Sequence, residues 1–221
     1  MHFTSTSPWK VGATCKGQVE QFYANLDQPI PLFMVDGAFP FYSHKATKAI
    51  EKGFTADSII LSNHYSLMMD ERYIFEVPGE YITELRKQPG WTEELRFIDS
   101  SSSETHIMLL KAAWFNDLQS FMKMRLCTNP ADVKSLGKNV IKFNNEEWYK
   151  IVPHVALEVA WQKYTKVNKF NKYLVQLAHH YRHIIEYTKN DGCWGTGCDL
   201  WTGQTTTVSY THLTLPTILL V

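Results

Sequence analysis

The chain has 221 residues, enough for one well-buried core, and its 22 basic residues balance 22 acidic ones, so its formal charge at pH 7 is zero. That balance gives no support to a general electrostatic attraction to nucleic acid, although a local basic groove could still take a phosphorylated small molecule. No apolar run is long enough to span a bilayer and the first residues lack a secretory signal. Cys15, Cys127, Cys193 and Cys198 are too few and scattered for a small disulfide framework, so a soluble, cytoplasmic protein with reduced thiols and no membrane partner is expected.

Residues 1–31 mix Pro, Gly and Lys without a regular apolar repeat and read as an N-terminal extension. From Pro31 the run LFMVDGAFPFYSH has strand-forming residues broken by Asp36-Gly37, a turn signal, and by Pro40, which lacks a ladder donor and suits an edge. A short hairpin or edge strand is predicted there. Lys45 to Lys52 has helical composition stopped by Gly53, and Ser58 to Tyr65 is apolar again. Residues 66–99 read as an insertion with a strand at Arg72 to Val77 and breaks at Pro78-Gly79 and Pro89-Gly90.

Helix punctuation becomes regular in the second half. Ser101 to Ser103 offer N-caps for a helix through Phe115 that places Ile107, Leu110 and Trp114 on one side. Asn129-Pro130 is an N-cap followed by Pro at the first helical position, and Gly137 suits that helix's end. Asn144 with Glu147 resembles a capping box opening a long helix, which Pro153 should kink without ending. Asn168 opens another helix through Leu177, and Arg182 to Tyr187 is a candidate strand before the loop Gly192 to Gly197. The predicted fold is α+β, a mainly helical single domain over residues 32–206 with a small sheet. Beyond Asp199 the threonine-rich run lacks charge and period and looks like a translated adapter fragment. Residues 207–221 are therefore set aside as a non-native-looking or disordered tail.

Several residues could carry chemistry. Glu104 follows four serines at a helix start, and Lys111 lies about two turns on along roughly the same face. A second reading of Glu104 is a cap, because with Ser101 it fits S-x-x-E. In Glu186-Tyr187-Thr188-Lys189-Asn190-Asp191-Gly192-Cys193-Trp194-Gly195-Thr196-Gly197 the glycines let backbone approach a ligand and the indole offers a flat face, while Asp191 and Glu186 offer carboxylates. Trp194 could equally be a core plug. His179 and His183 with Cys193 and Cys198 loosely imitate a zinc site, but the spacing is wide, and the histidines also suit the polar end of a helix. No metal and no cofactor is expected.

The order Ser62-Asn63-His64-Tyr65, Glu104 with Lys111-Ala112, Asn129-Pro130 with Lys134, Leu136 and Gly137, then Phe143, Trp148, Lys163-Tyr164, Glu186, Asp191 and Trp194-Gly195-Thr196-Gly197 resembles the NADAR (YbiA-like) N-glycosidase family over about residues 39–200. The resemblance implies hydrolysis of the C–N bond between ribose and a base or amine, on riboflavin-pathway intermediates or on ADP-ribosylated guanine, with a nucleotide-like small molecule or modified nucleic acid as partner. It implies Glu104 as the leading catalytic carboxylate, the catalytic Asp191 and Glu186 in or near the pocket, Trp194 stacking beside Gly195 and Gly197, Asn63, next to Ser62, hydrogen-bonding ribose or phosphate, and Lys111 also among the substrate-binding residues. It also implies that Lys45 contacts phosphate or attacks the opened sugar as a Schiff base; a solvated surface lysine is the other reading. The departures are His64 in place of an aromatic, Thr105 in place of His or Gln, a long interval between Asn63 and Glu104, and a closing segment that starts at Trp201-Thr202-Gly203 and is then lost. A non-catalytic module that binds ADP-ribose or a nucleotide is the alternative, which truncation would favour.

Overall fold

The computed structural model describes residues 38–181 and 183–186. In chain order the elements are β1 (Ala38–Phe41), α1 (Ala46–Glu51), β2 (Tyr73–Glu76), β3 (Phe97–Ser100), α2 (Ser103–Trp114), α3 (Leu118–Arg125), α4 (Pro130–Gly137), α5 (Asn145–Lys166), α6 (Asn168–Ala178) and β4 (His183–Glu186), with short 3₁₀ turns between α1 and β3. This is the mainly helical α+β arrangement expected. The chain divides into two compact units, Asn63–Tyr173 and the segments on either side of it.

In the flanking unit β1 pairs with β4 in parallel, Ala38 opposite His183 and Phe41 opposite Glu186. The strand around Pro40 is thus real, but the partner of the described part is the distant strand read at Arg182 to Tyr187. Pro40 sits in a two-stranded pair, where one side needs no donor. Phe39 and Phe41 are buried, and Phe39 meets Tyr181 edge to face at 5.1 Å. Gly53, at φ +80°, ends α1 in the left-handed region. The apolar stretch that follows closes on itself as a 3₁₀ turn, Ala56–Leu61, in which the Ser58 hydroxyl donates to the Thr55 carbonyl at 2.6 Å.

The central unit is built around α2. The sequence suggests one apolar face, yet every residue from Ser103 to Ala113 is buried. The reason is that α3, α4, α5, β3 and the 3₁₀ turn Gly79–Ile82 all pack against this helix. β2 and β3 pair antiparallel, Tyr73 opposite Ser100 and Glu76 opposite Phe97, with Tyr73, Phe75, Ile98 and Ser100 inward and Ile74 and Phe97 outward. The segment read as an insertion supplies Phe75, Val77, Ile82 and Leu85, each fully buried. Each such side chain stabilises by roughly 1.5–3 kcal/mol, so this segment contributes to the core of its unit.

The caps explain the remaining helices. Asn129 Oδ1 accepts from the Ala131 amide and Asn144 Oδ1 from the Glu147 amide, both at 3.0 Å. The Glu147 carboxylate accepts from Trp114 Nε1 at 2.7 Å, which ties α5 to the end of α2. Pro153 lies inside α5. Helix α3 has no counterpart in the sequence reading. Asp117 caps it by accepting from the Ser120 amide at 3.0 Å, and its second oxygen accepts from the Ile141 amide at 2.9 Å. Gly137 has no positive φ, so the end-of-helix reason for a glycine does not apply. A Cβ at this position would lie 3.0 Å from Met108 Cγ and nearer still to its sulfur, so the glycine permits close approach of α4 to α2.

Candidate functional site

Glu104 lies in the first turn of α2, where unpaired amides and the helix dipole favour a negative charge. Ser102, and not Ser101, is the N-cap, and its hydroxyl accepts from the Thr105 amide at 3.3 Å. Glu104 is therefore the second helical residue, one short of the position from which a capping box closes. Its own amide donates to the Asn63 carbonyl at 2.8 Å, and the Leu67 amide donates to the Ser101 carbonyl at 2.7 Å. These two bonds lay Asn63-His64-Tyr65 across the start of α2. His64 Nε2 comes to 3.6 Å from Glu104 Oε2, with the histidine side chain 27% exposed and the carboxylate 7%. A shielded carboxylate thus sits behind a more open imidazole. Asn63 itself is half-buried.

Lys111, two turns along α2, is braced. Its ammonium donates to the Gly137 carbonyl at 2.8 Å and lies 3.6 Å from the centre of the Phe143 ring. Burial pulls its pKa down to about 8, and the Glu104 charge works the other way. The lysine thus couples electrostatically to Glu104 while holding α2, α4 and the start of α5 together.

Two further buried groups were not among the candidate site residues, although Lys163 stood in the family pattern. His106 is fully buried; Nε2 meets Ser100 Oγ at 2.6 Å, Nδ1 meets the Tyr73 hydroxyl at 3.2 Å, and the ring stacks on Phe75 at 4.2 Å. Burial, with Lys163 and Lys166 adding to it, drives its pKa down to about 3, so the ring is neutral. Ser100 is buried too, which makes this chain a structural tie between β2, β3 and α2 and not a nucleophile with its base. Lys163 is buried with its ammonium 4.4 Å from the Phe170 ring centre and 6.0 Å from that of Tyr65. Burial lowers its pKa to about 7, and Glu71 opposes the shift. Glu71 in turn pairs with Lys169 at 2.9 Å, whose ammonium lies 5.9 Å from the Tyr65 ring centre. No spacing in the sequence brings these groups together; only the return of α5 past Tyr65 does.

The other candidates are distributed. Ser62 is buried, Lys45 is exposed at the N-cap of α1, and Glu186 ends β4, all in the flanking unit. Asp191, Trp194, Gly195 and Gly197 lie outside the described residues, as do Cys193 and Cys198 of the zinc reading. Among the described residues no group of three His, Cys, Asp or Glu side chains could hold a metal, and no helix is long and apolar enough to cross a membrane.

An α+β domain with a carboxylate buried at the start of its central helix and an imidazole in front of it defines a protein equipped for proton transfer and for stabilising positive charge. The NADAR domain model matches residues 54–209, and the chain belongs to that family. Among curated proteins it is similar to an N-glycosidase of Acanthamoeba polyphaga mimivirus, with 29% identity over 101 residues. That match covers 46% of this chain and 58% of the viral protein, so it spans a little over half of the relative's length.

Proposed function

We propose that this protein is an N-glycosidase that cleaves the C–N bond between a ribose and a base or amine, with riboflavin-pathway ribosylamines or ADP-ribosylated guanine as substrate and no cofactor. The observation that supports it best is the placement of Glu104. Bond cleavage at an anomeric carbon builds positive charge on the sugar, and a shielded carboxylate at a helix start stabilises that charge or activates the water that quenches it. Membership of the NADAR family and the likeness to a viral N-glycosidase point the same way. In this reading Asn63 and Ser62 contact ribose or phosphate, Trp194 stacks on the base between Gly195, Gly197 and the acidic residues Glu186 and Asp191, and Lys45 reaches a phosphate or the opened sugar. Lys111, expected among the substrate-binding residues, has its ammonium on the Gly137 carbonyl and the Phe143 ring and acts through its charge on Glu104.

The test is a product assay by mass spectrometry on the full chain, with ADP-ribosylated guanine DNA and riboflavin-pathway ribosylamines side by side. Release of free base or amine from one of them is expected, and Glu104→Gln should lower that turnover about 10²- to 10⁴-fold while leaving binding in place. Turnover unchanged by the substitution would remove Glu104 from the chemistry. Binding without any turnover by the wild-type chain would instead identify a nucleotide-binding module.

A further inference from the structure

The contact between His64 and Glu104 is the one place among the described residues where an imidazole that solvent can reach faces a carboxylate that it barely reaches. Both are fixed by backbone: Glu104 by the first turn of α2, and His64 by the bonds that Asn63 and Leu67 make on either side of it with Glu104 and Ser101. The two side chains come from positions far apart in sequence, yet their relative placement does not depend on a flexible loop. We propose that His64 is the general acid of the reaction, delivering a proton to the departing nitrogen while Glu104 faces the anomeric carbon; this rests on the N-glycosidase reading above.

The balance of the step follows. As the C1′–N bond breaks, its electron pair goes to the base or amine nitrogen, and the proton on His64 Nε2 moves to that nitrogen. The sugar cation is held by Glu104 and captured by water, whose oxygen bonds to C1′ and whose proton passes to the Glu104 carboxylate. Because 3.6 Å is too long for direct transfer, that proton returns to His64 through one bridging water, which accepts it from Glu104 and passes a proton on to Nε2, and the pair is reset. The consumed water ends as a hydroxyl on C1′ and a hydrogen on the leaving nitrogen. Exposure assigns the roles: the more open imidazole meets a leaving group that must depart to solvent, and the shielded carboxylate keeps its charge in surroundings where it acts most strongly. Lys111, which also couples to Glu104, has its ammonium engaged by the Gly137 carbonyl and the Phe143 ring and so is not placed to give up a proton.

Two measurements on the full chain test this. In the first, the His64 ring is titrated by NMR in the wild type and in Glu104→Gln. Removal of the carboxylate charge should lower the imidazole midpoint by about one unit, because an opposite charge at this distance favours the protonated ring. An unchanged midpoint would overturn the pairing whether or not the protein shows turnover. In the second, pH–rate profiles are recorded on whichever of ADP-ribosylated guanine DNA and the ribosylamines the wild type cleaves. His64→Gln should lower kcat about 10²-fold, leave KM within about threefold, and abolish the alkaline fall in rate that loss of the acid's proton produces. A His64→Gln protein with wild-type kcat and an intact alkaline limb would make His64 a bystander and end the proposal. No turnover by the wild type on any of these substrates would overturn the parent reading, a result distinct from either of the others.

Discussion

Stability should rise from neutral to moderately alkaline pH, because this fold buries bases whose charged forms burial penalises. Lys163 falls from 10.5 to about 7 and Lys111 from 10.5 to about 8, both through burial. Between those folded values and 10.5 the unfolded chain binds more protons than the folded one, and unfolding free energy therefore increases with pH. His106 acts in the same direction lower down: its folded value of about 3 against 6.5 makes stability fall as pH drops through that interval. The ceiling comes from Tyr73 and Tyr81, whose phenols burial pushes up; the folded chain keeps those protons above pH 10 and loses stability there. One proton of difference is worth about 1.4 kcal/mol per pH unit, so Lys163 and Lys111 together give a rise of roughly 3–4 kcal/mol between pH 7 and 9, or about 7–14 °C in Tm for a chain of this size. Thermal unfolding by circular dichroism at pH 5.5, 7 and 9 and constant ionic strength measures it. Lys163→Met should remove more than half of the rise between pH 7 and 9. A wild-type Tm that is flat or falls over that interval, or a Lys163→Met protein with the wild-type slope, would refute the reasoning.

Gly137→Ala should destabilise by about 1–3 kcal/mol in urea unfolding, because the new Cβ must displace the Met108 side chain or move α4 off α2; an unchanged midpoint would show that Met108 yields without cost. Asn144→Ala should cost about 1 kcal/mol by losing the bond to the Glu147 amide, seen as a lower Tm, and a shift of less than a few tenths would mean that water replaces the cap.

Short-range signals were the legible part of the sequence. Asn129-Pro130, Asn144 and the serines before Glu104 marked helix starts because a cap is a contact between residues two or three apart, and the structure makes those bonds. The dipeptide Asn116-Asp117 carried the same kind of signal for α3, with Asn116 at φ +59° and Asp117 as cap, but it stands among apolar residues and went unread. Burial on all sides of α2 could not be read from its period, since that depends on how many neighbours the chain brings to it. Glu104 could be singled out as a candidate because the family motif includes it. That His64 meets it, that His106 is a tie between strands and helix, and that Lys163 lies under Tyr65 all depend on distant segments returning to one place. The same limit hid how much residues 66–99 contribute to the core.

The bond from the Leu67 amide to the Ser101 carbonyl makes the start and finish of that segment neighbours. Apart from the core side chains the segment supplies, extra length between them enters the assembly of Asn63 with Glu104 as the entropy of closing one loop, which grows with the logarithm of its length and costs about 0.6 kcal/mol for each doubling. Segments of quite different length can therefore occupy this position in related chains while the carboxylate keeps its surroundings. The number of residues between Asn63 and Glu104 is thus a weak guide to whether the site is intact, and the pair of backbone bonds at the base of the loop is the feature to look for instead.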